Sequence, residues 1–229
     1  MNKNKDLFVA TVTHDLKNSI QAQLMSLNIL NKETFGELNP EQKDFINMII
    51  ESANYTKDLL YSVLTAFRYD NTVLKINKIV FELKDLMSNC ENEVRASLLF
   101  KNLKIKSTIR ANTMYADLIQ LRRVISNLLN NAIHYAFENS EIIIDVFEEN
   151  DFVVFEFENL SEPIPEELKS KIFQKYVSTM GTGLGLYYCK KVIEGHKGTI
   201  SLENNGVHNK FILKIPKENK EENVVNFND

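Results

Sequence analysis

The stretch "GTGLGLYYCKKVIEGHKGTI", Gly181 to Ile200, sets Gly181, Gly183 and Gly185 on alternate positions just ahead of a helix-periodic apolar run. Glycines at a helix start let backbone N–H groups approach an anion closely, and the helix dipole favours negative charge there. A mobile loop is the bland alternative, and the glycine spacing alone does not exclude it. The helix is expected to begin near Leu184. The stretch then runs into "GTISLENNGVHNKFILKI", which reads as a terminal β-hairpin.

Working back along the chain, "EIIIDVFEENDFVVFEFEN" (141–159) reads as a second hairpin, two β-rich runs around the turn "EEND". "ADLIQLRRVISNLLNNAIHYA" (116–136) is a strongly periodic helix. "ELKDLMSNCENEVRASLLF" (82–100) reads as one helix between the strands "VLKI" (73–76) and "KIKSTI" (104–109). Pro165 opens a further helix, with Glu166 and Glu167 in its first turn, where acidic side chains are favoured. Helices gathered on one face of a mixed or antiparallel sheet give a two-layer α/β sandwich.

The first seventy residues differ. Phe8, Val12, Leu16, Ile20, Leu24 and Leu27 recur at helical spacing, and no glycine or proline occurs before Gly36. In "FGELNPEQ" (35–42), Asn39 can cap a second helix that has Pro40 at its first position. Phe45, Ile49, Ala53, Leu60, Leu64 and Phe67 form that helix's stripe. One helical hairpin cannot bury so wide a face, so a dimer with a four-helix bundle is expected. The expected divisions are a hairpin at 1–70, a linker at 71–78, an α/β domain at 79–217 and a polar tail at 218–229. No internal repeats are visible.

Composition narrows the function. The net charge of −4 argues against a general nucleic-acid binder. Cys90 and Cys189 form no CxxC pair, which argues against a disulfide framework or zinc site and fits a reducing compartment. No apolar run reaches the ~20 residues needed to span a bilayer, and no stretch reads as a signal peptide, so neither feature is expected of these residues. The expectation is a cytoplasmic chain without membrane contact of its own, compatible with a membrane sensor upstream.

Several residues carry candidate chemistry. Asn127 and Asn131 lie four apart on one helix face, where their amide oxygens can ligate a hard cation such as magnesium. The competing reading is a pair of solvated amides. Asn159 ends a strand, as a site residue or as a turn former. Phe173 and Tyr176 read by default as core. In "TVTHDLKNSI" (11–20), His14 and Asp15 stand together with Lys17 and Asn18 one turn on, either as a solvated face or as a nucleophile beside its base.

Taken in order, "HDLKN", "NLLNNA", the Phe173 stretch, "GTGLGL" and "GHKGTI" resemble a bacterial two-component sensor histidine kinase over nearly the whole chain. The first part is similar to the dimerisation and histidine-phosphotransfer hairpin. The second is similar to the catalytic ATP-binding domain of the Bergerat, or GHKL, class. The resemblance implies an ATP- and magnesium-dependent protein histidine kinase. It would form a homodimer, phosphorylate itself on His14 and pass the phosphoryl group to an Asp of a response regulator's receiver domain. It makes Asp15 the proton acceptor, and Asn18 the residue that orients water for dephosphorylating the partner. It makes Asn131 the magnesium ligand with Asn127 in support. Tyr135 packs near the nucleotide, and Gly181, Gly183 and Gly185 form the glycine box. His134, Asn159, Ile164, Thr182 and Leu184 complete the implied cofactor-binding set.

The chain departs from the family pattern at five places. Asn159-Leu160-Ser161-Glu162-Pro163 stands where the family has Asp-x-Gly-x-Gly, so the acidic acceptor and both glycines are replaced. Glu162 adds negative charge near the polyphosphate site. His134 replaces a common Lys, Ser19 replaces a common Pro, and the lid after Tyr176 is only "VSTM". These changes keep a second reading open, a silent phosphotransfer or scaffold dimer with a degenerate ATP domain. A third reading, a GHKL ATPase acting on another protein's serine, does not explain the His-Asp hairpin.

Overall fold

A computed structural model describes residues 3–69, 75–177 and 183–217. Helices α1 (Lys3–Asn31) and α2 (Pro40–Tyr69) pack on each other as the expected hairpin. Asn39 caps α2 reciprocally: its Oδ1 accepts from the Gln42 N–H at 2.8 Å, while its own N–H donates to Gln42 Oε1 at 3.0 Å. With Ser19 in place of proline, α1 runs unbroken. Ile20 and Leu24 are buried, but Leu16, Met25, Phe45, Met48 and Ile49 are exposed. An open groove of about 610 Å³ runs between the helices, lined by Ser19, Ala22, Gln23, Ser26, Leu27, Ile49 and Ala53.

The rest is a two-layer α/β sandwich. Its elements are β1 (Ile79–Glu82), α3 (Leu83–Glu93), α4 (Arg95–Phe100), β2 (Lys104–Ile109), β3 (Thr113–Ala116), α5 (Leu118–Tyr135), β4 (Glu141–Glu149), β5 (Phe152–Leu160), α6 (Glu166–Lys169), α7 (Gly185–Gly195), β6 (Thr199–Asn205) and β7 (His208–Pro216). The five-stranded sheet has the order β2-β4-β5-β7-β6, with β2 parallel to β4 and every other pair antiparallel. Alternation on β4 and β5 sends Ile142, Ile144, Phe155 and Phe157 inward against Leu121, Ile125, Leu128 and Leu129 of α5. The outward face carries ion pairs, among them Lys210 with Glu156 and Glu158.

Three local expectations change. The strand expected at "VLKI" is absent at Lys75 and Ile76, and Val73 and Leu74 lie outside the described residues. Its place is taken by β1, which pairs with β3 as a separate two-stranded sheet. The single helix expected over 82–100 breaks at Val94 (φ −99°, ψ 4°), which turns its side chain into the core. Phe173 does pack edge-on against Phe211, but Tyr176 is 70% exposed with φ +63°, outside the core.

Candidate functional site

The site grows from the way α5 and α7 are set side by side. Asp117 caps α5, its Oδ1 accepting from the Gln120 N–H at 3.0 Å. Its Oδ2 accepts from the Asn77 N–H, also at 3.0 Å. The Asp117 N–H donates to Nε2 of buried His196 at 3.0 Å, and the His196 Nδ1–H donates to the Val192 carbonyl at 2.8 Å. His196 is therefore a clasp, holding the end of α7 to the start of α5. Nothing local to "GHKG" marks this role, because its partner Asp117 is 79 residues away.

Further contacts step along the two helices. The Tyr188 hydroxyl donates to Gln120 Oε1 at 2.6 Å, and the Cys189 thiol to the Val124 carbonyl at 3.8 Å. Burial pushes the Cys189 thiol up to about 12, only partly offset by its hydrogen bond with Asn127. Next comes the candidate pair, Asn127 and Asn131. A Cβ built on Gly185 would lie 3.7 Å from Asn127 Oδ1 and meet no protein atom closer. The first residue of α7 therefore lies close against Asn127, where an added methyl would make ordinary van der Waals contact. Among the described residues no side chain caps α7, and the first N–H groups of a helix have no partner within the helix itself. Asn131, half-buried, lies one turn along α5 on the same face.

Gly183 has a different reason to be glycine. Its φ is +63°, and an added Cβ would sit 2.5 Å from the Val177 nitrogen. The Tyr176 N–H donates to the Gly183 carbonyl at 3.2 Å and closes the turn there. Gly181 and Thr182 lie outside the described residues, while Leu184 is buried at the N-cap of α7. His134 and Tyr135 are exposed at the end of α5 with rings edge-on, centroids 4.9 Å apart. Ile164 packs half-buried on the core.

Asn159, next to last in β5, is nearly fully buried, and its Nδ2 has no hydrogen-bond partner among the described residues. The glycine-free loop after it is pinned from the side by a residue that sequence reasoning did not single out. Buried Asn209 donates from Nδ2 to Ser161 Oγ at 2.6 Å and to the Glu162 carbonyl at 3.1 Å. The Ser161 N–H donates to the Val207 carbonyl at 2.9 Å. On the hairpin, α1 carries His14, Asp15 and Asn18; Asn18 is exposed, and the side chains of His14 and Asp15 lie outside what is described.

The donor set suits a hard cation shared with a ligand. Among the described residues no three His, Cys, Asp or Glu side chains gather as a metal cage. The amide oxygens of Asn127 and Asn131 are hard oxygen donors of the kind that could hold magnesium, with ligand oxygens and waters completing its shell.

Residues 4–72 match the His Kinase A (phospho-acceptor) domain, and residues 116–219 match the histidine kinase-, DNA gyrase B- and HSP90-like ATPase family. The chain is 30% identical over 221 residues to the sensor protein KdpD of Clostridium acetobutylicum, covering 91% of this chain and 24% of KdpD. The catalytic domain of histidine kinase ThkA is 33% identical with a TM-score of 0.58, over 62% of this chain and 96% of that domain. Histidine kinase ThkA, solved in complex with response regulator protein TrrA, shares the fold at 23% identity and a TM-score of 0.61, over 95% of this chain and 65% of that one. The chain spans only part of the length of curated relatives that it matches, 30% and 24% in two of them. Among the described residues, no helix is long and apolar enough to cross a membrane.

Proposed function

The chain belongs to the sensor histidine kinases, and from that premise we propose that it is the catalytic core of an ATP-dependent protein histidine kinase, phosphorylated on its own His14. The observation that carries this is the start of α7 at Gly185 set against Asn127 of α5, with no side chain capping that helix start among the described residues. Bound there, ATP supplies the γ-phosphoryl group, and magnesium neutralises charge that develops on it. The N–H groups of α7 hold the phosphates, Asn131 offers its amide oxygen to the ion, and Asn127 supports the same face. Neutral His14 is the nucleophile; Asp15 holds the ring's tautomer and takes up its proton.

Two hairpins pair through the apolar face that carries exposed Leu16 on α1 and exposed Phe45, Met48 and Ile49 on α2, which gives the homodimer. The phosphoryl group then passes to an Asp of a receiver domain, in keeping with the regulator-bound ThkA structure. Asn18 orients a water for the reverse, phosphatase reaction. The chain works in the cytoplasm, whether or not a sensor region precedes it.

The pinned loop at Ser161, in place of a glycine box, favours one alternative, a scaffold dimer that no longer uses nucleotide. A binding titration separates the two. Magnesium-ATP is expected to bind, and Asn131→Ala to weaken it by about tenfold or more with magnesium present but far less without it. No binding even at millimolar ATP leaves the scaffold.

A further inference from the structure

Asn159 stands where the family resemblance expects an aspartate, and what this chain places there is chemically different. The residue is 3% exposed, and among the described residues no hydrogen bond engages its side chain, which leaves the Nδ2 donor without a partner there. A buried amide donor is seldom left unpaired, so a ligand acceptor is the natural partner. The position is held firmly. The Asn159 backbone sits in the ladder between Ile142 and Asn209. The Leu160 carbonyl accepts from the Phe137 N–H at 2.9 Å, which ties this strand end to the end of α5, the helix of Asn127 and Asn131. Asn209, the neighbour best placed to satisfy the amide, directs its own Nδ2 to Ser161 and Glu162 and accepts from Asn204.

We propose that Asn159 reads a purine base with both ends of its amide, and accepts 6-amino and 6-oxo purine nucleotides alike. The inference rests on the nucleotide reading above. The edge of adenine offers one donor, N6–H, and one acceptor, N1. An amide matches both: Oδ1 accepts from N6–H while Nδ2 donates to N1. The edge of hypoxanthine reverses the pattern, with O6 accepting and N1–H donating. Rotating the amide by half a turn restores two hydrogen bonds, and no hydrogen bond among the described residues opposes the rotation. A carboxylate offers acceptors only. It can satisfy N6–H of adenine but sets oxygen against O6 of hypoxanthine, so it discriminates where the amide does not.

The test is equilibrium binding of the whole chain, with magnesium, to ATP, inosine triphosphate and 1-deaza-ATP, which lacks the N1 acceptor. Inosine triphosphate is expected to bind within about threefold of ATP, and 1-deaza-ATP about tenfold more weakly, because the buried donor is again left unpaired. In Asn159→Asp the pattern reverses: inosine triphosphate falls about tenfold below ATP, and 1-deaza-ATP matches it. The analogue series on the unmodified chain is sufficient even if that variant does not fold. If ATP binds while inosine triphosphate is more than about tenfold weaker, or loss of N1 costs nothing, this inference falls and the nucleotide reading stands. If none of the three binds, both fall.

Discussion

Replacing Gly185 by alanine separates what the fold needs from what the ligand needs. The new methyl would meet Asn127 Oδ1 at 3.7 Å and Asn127 Cγ at 3.9 Å, both ordinary van der Waals separations. Gly185 is the first residue of α7 and has no positive φ, so alanine suits the helix better than glycine does. The fold should gain up to about 0.5–1 kcal/mol. The methyl, however, stands at the helix start, which no side chain caps among the described residues and where phosphate oxygens would approach. Losing one hydrogen bond from a helix N–H to a charged oxygen costs about 1.5–3 kcal/mol. Affinity for magnesium-ATP should therefore fall roughly 10- to 150-fold while the melting temperature holds or rises. Calorimetric titration and a thermal melt on the same preparation read both. An unchanged affinity in a stable variant would refute the placement of the phosphates against Gly185.

Gly183→Ala should behave in the opposite way. With φ at +63° and a Cβ 2.5 Å from backbone nitrogen, it should destabilise by at least about 2 kcal/mol, seen as a lower melting temperature. Glu158 supplies a pH test. Burial raises its carboxyl, but hydrogen bonds from His208 and Lys210 outweigh that and hold it below the usual range. A depressed carboxylate stabilises the fold at neutral pH and loses that contribution as pH falls through its folded value. Glu158→Gln should thus cost up to about 1 kcal/mol in denaturant melts at pH 7, and the gap should close below about pH 4.

Long periodic elements were legible in the sequence because their signal repeats over many residues. The hairpin helices, α5, the β4–β5 hairpin and α7 all fall where the pattern puts them. Four-residue strands such as β1 carry no such repetition, and Ile79 and Val80 are both exposed, so no alternation marked that strand. The break at Val94 depends on a core that only the folded chain supplies. At the site, Asn127 with Asn131, and Gly183 with Gly185, could be singled out by local spacing. The clasps could not: Asp117 meets His196 across 79 residues, and Asn209 meets Ser161 across 48. Nor did spacing tell that Gly183 serves the backbone while Gly185 lies close against Asn127.

The central claim is that this chain moves phosphate from ATP to His14, and the most direct measurement is covalent. The whole chain is incubated with γ-labelled ATP and magnesium, then split between acid and base treatment and mapped by mass spectrometry. The account predicts one labelled site, His14, with a phosphoramidate bond that survives base, breaks in acid and is absent from His14→Gln. Label that survives acid, label that persists in His14→Gln, or no label while ATP demonstrably binds would contradict it.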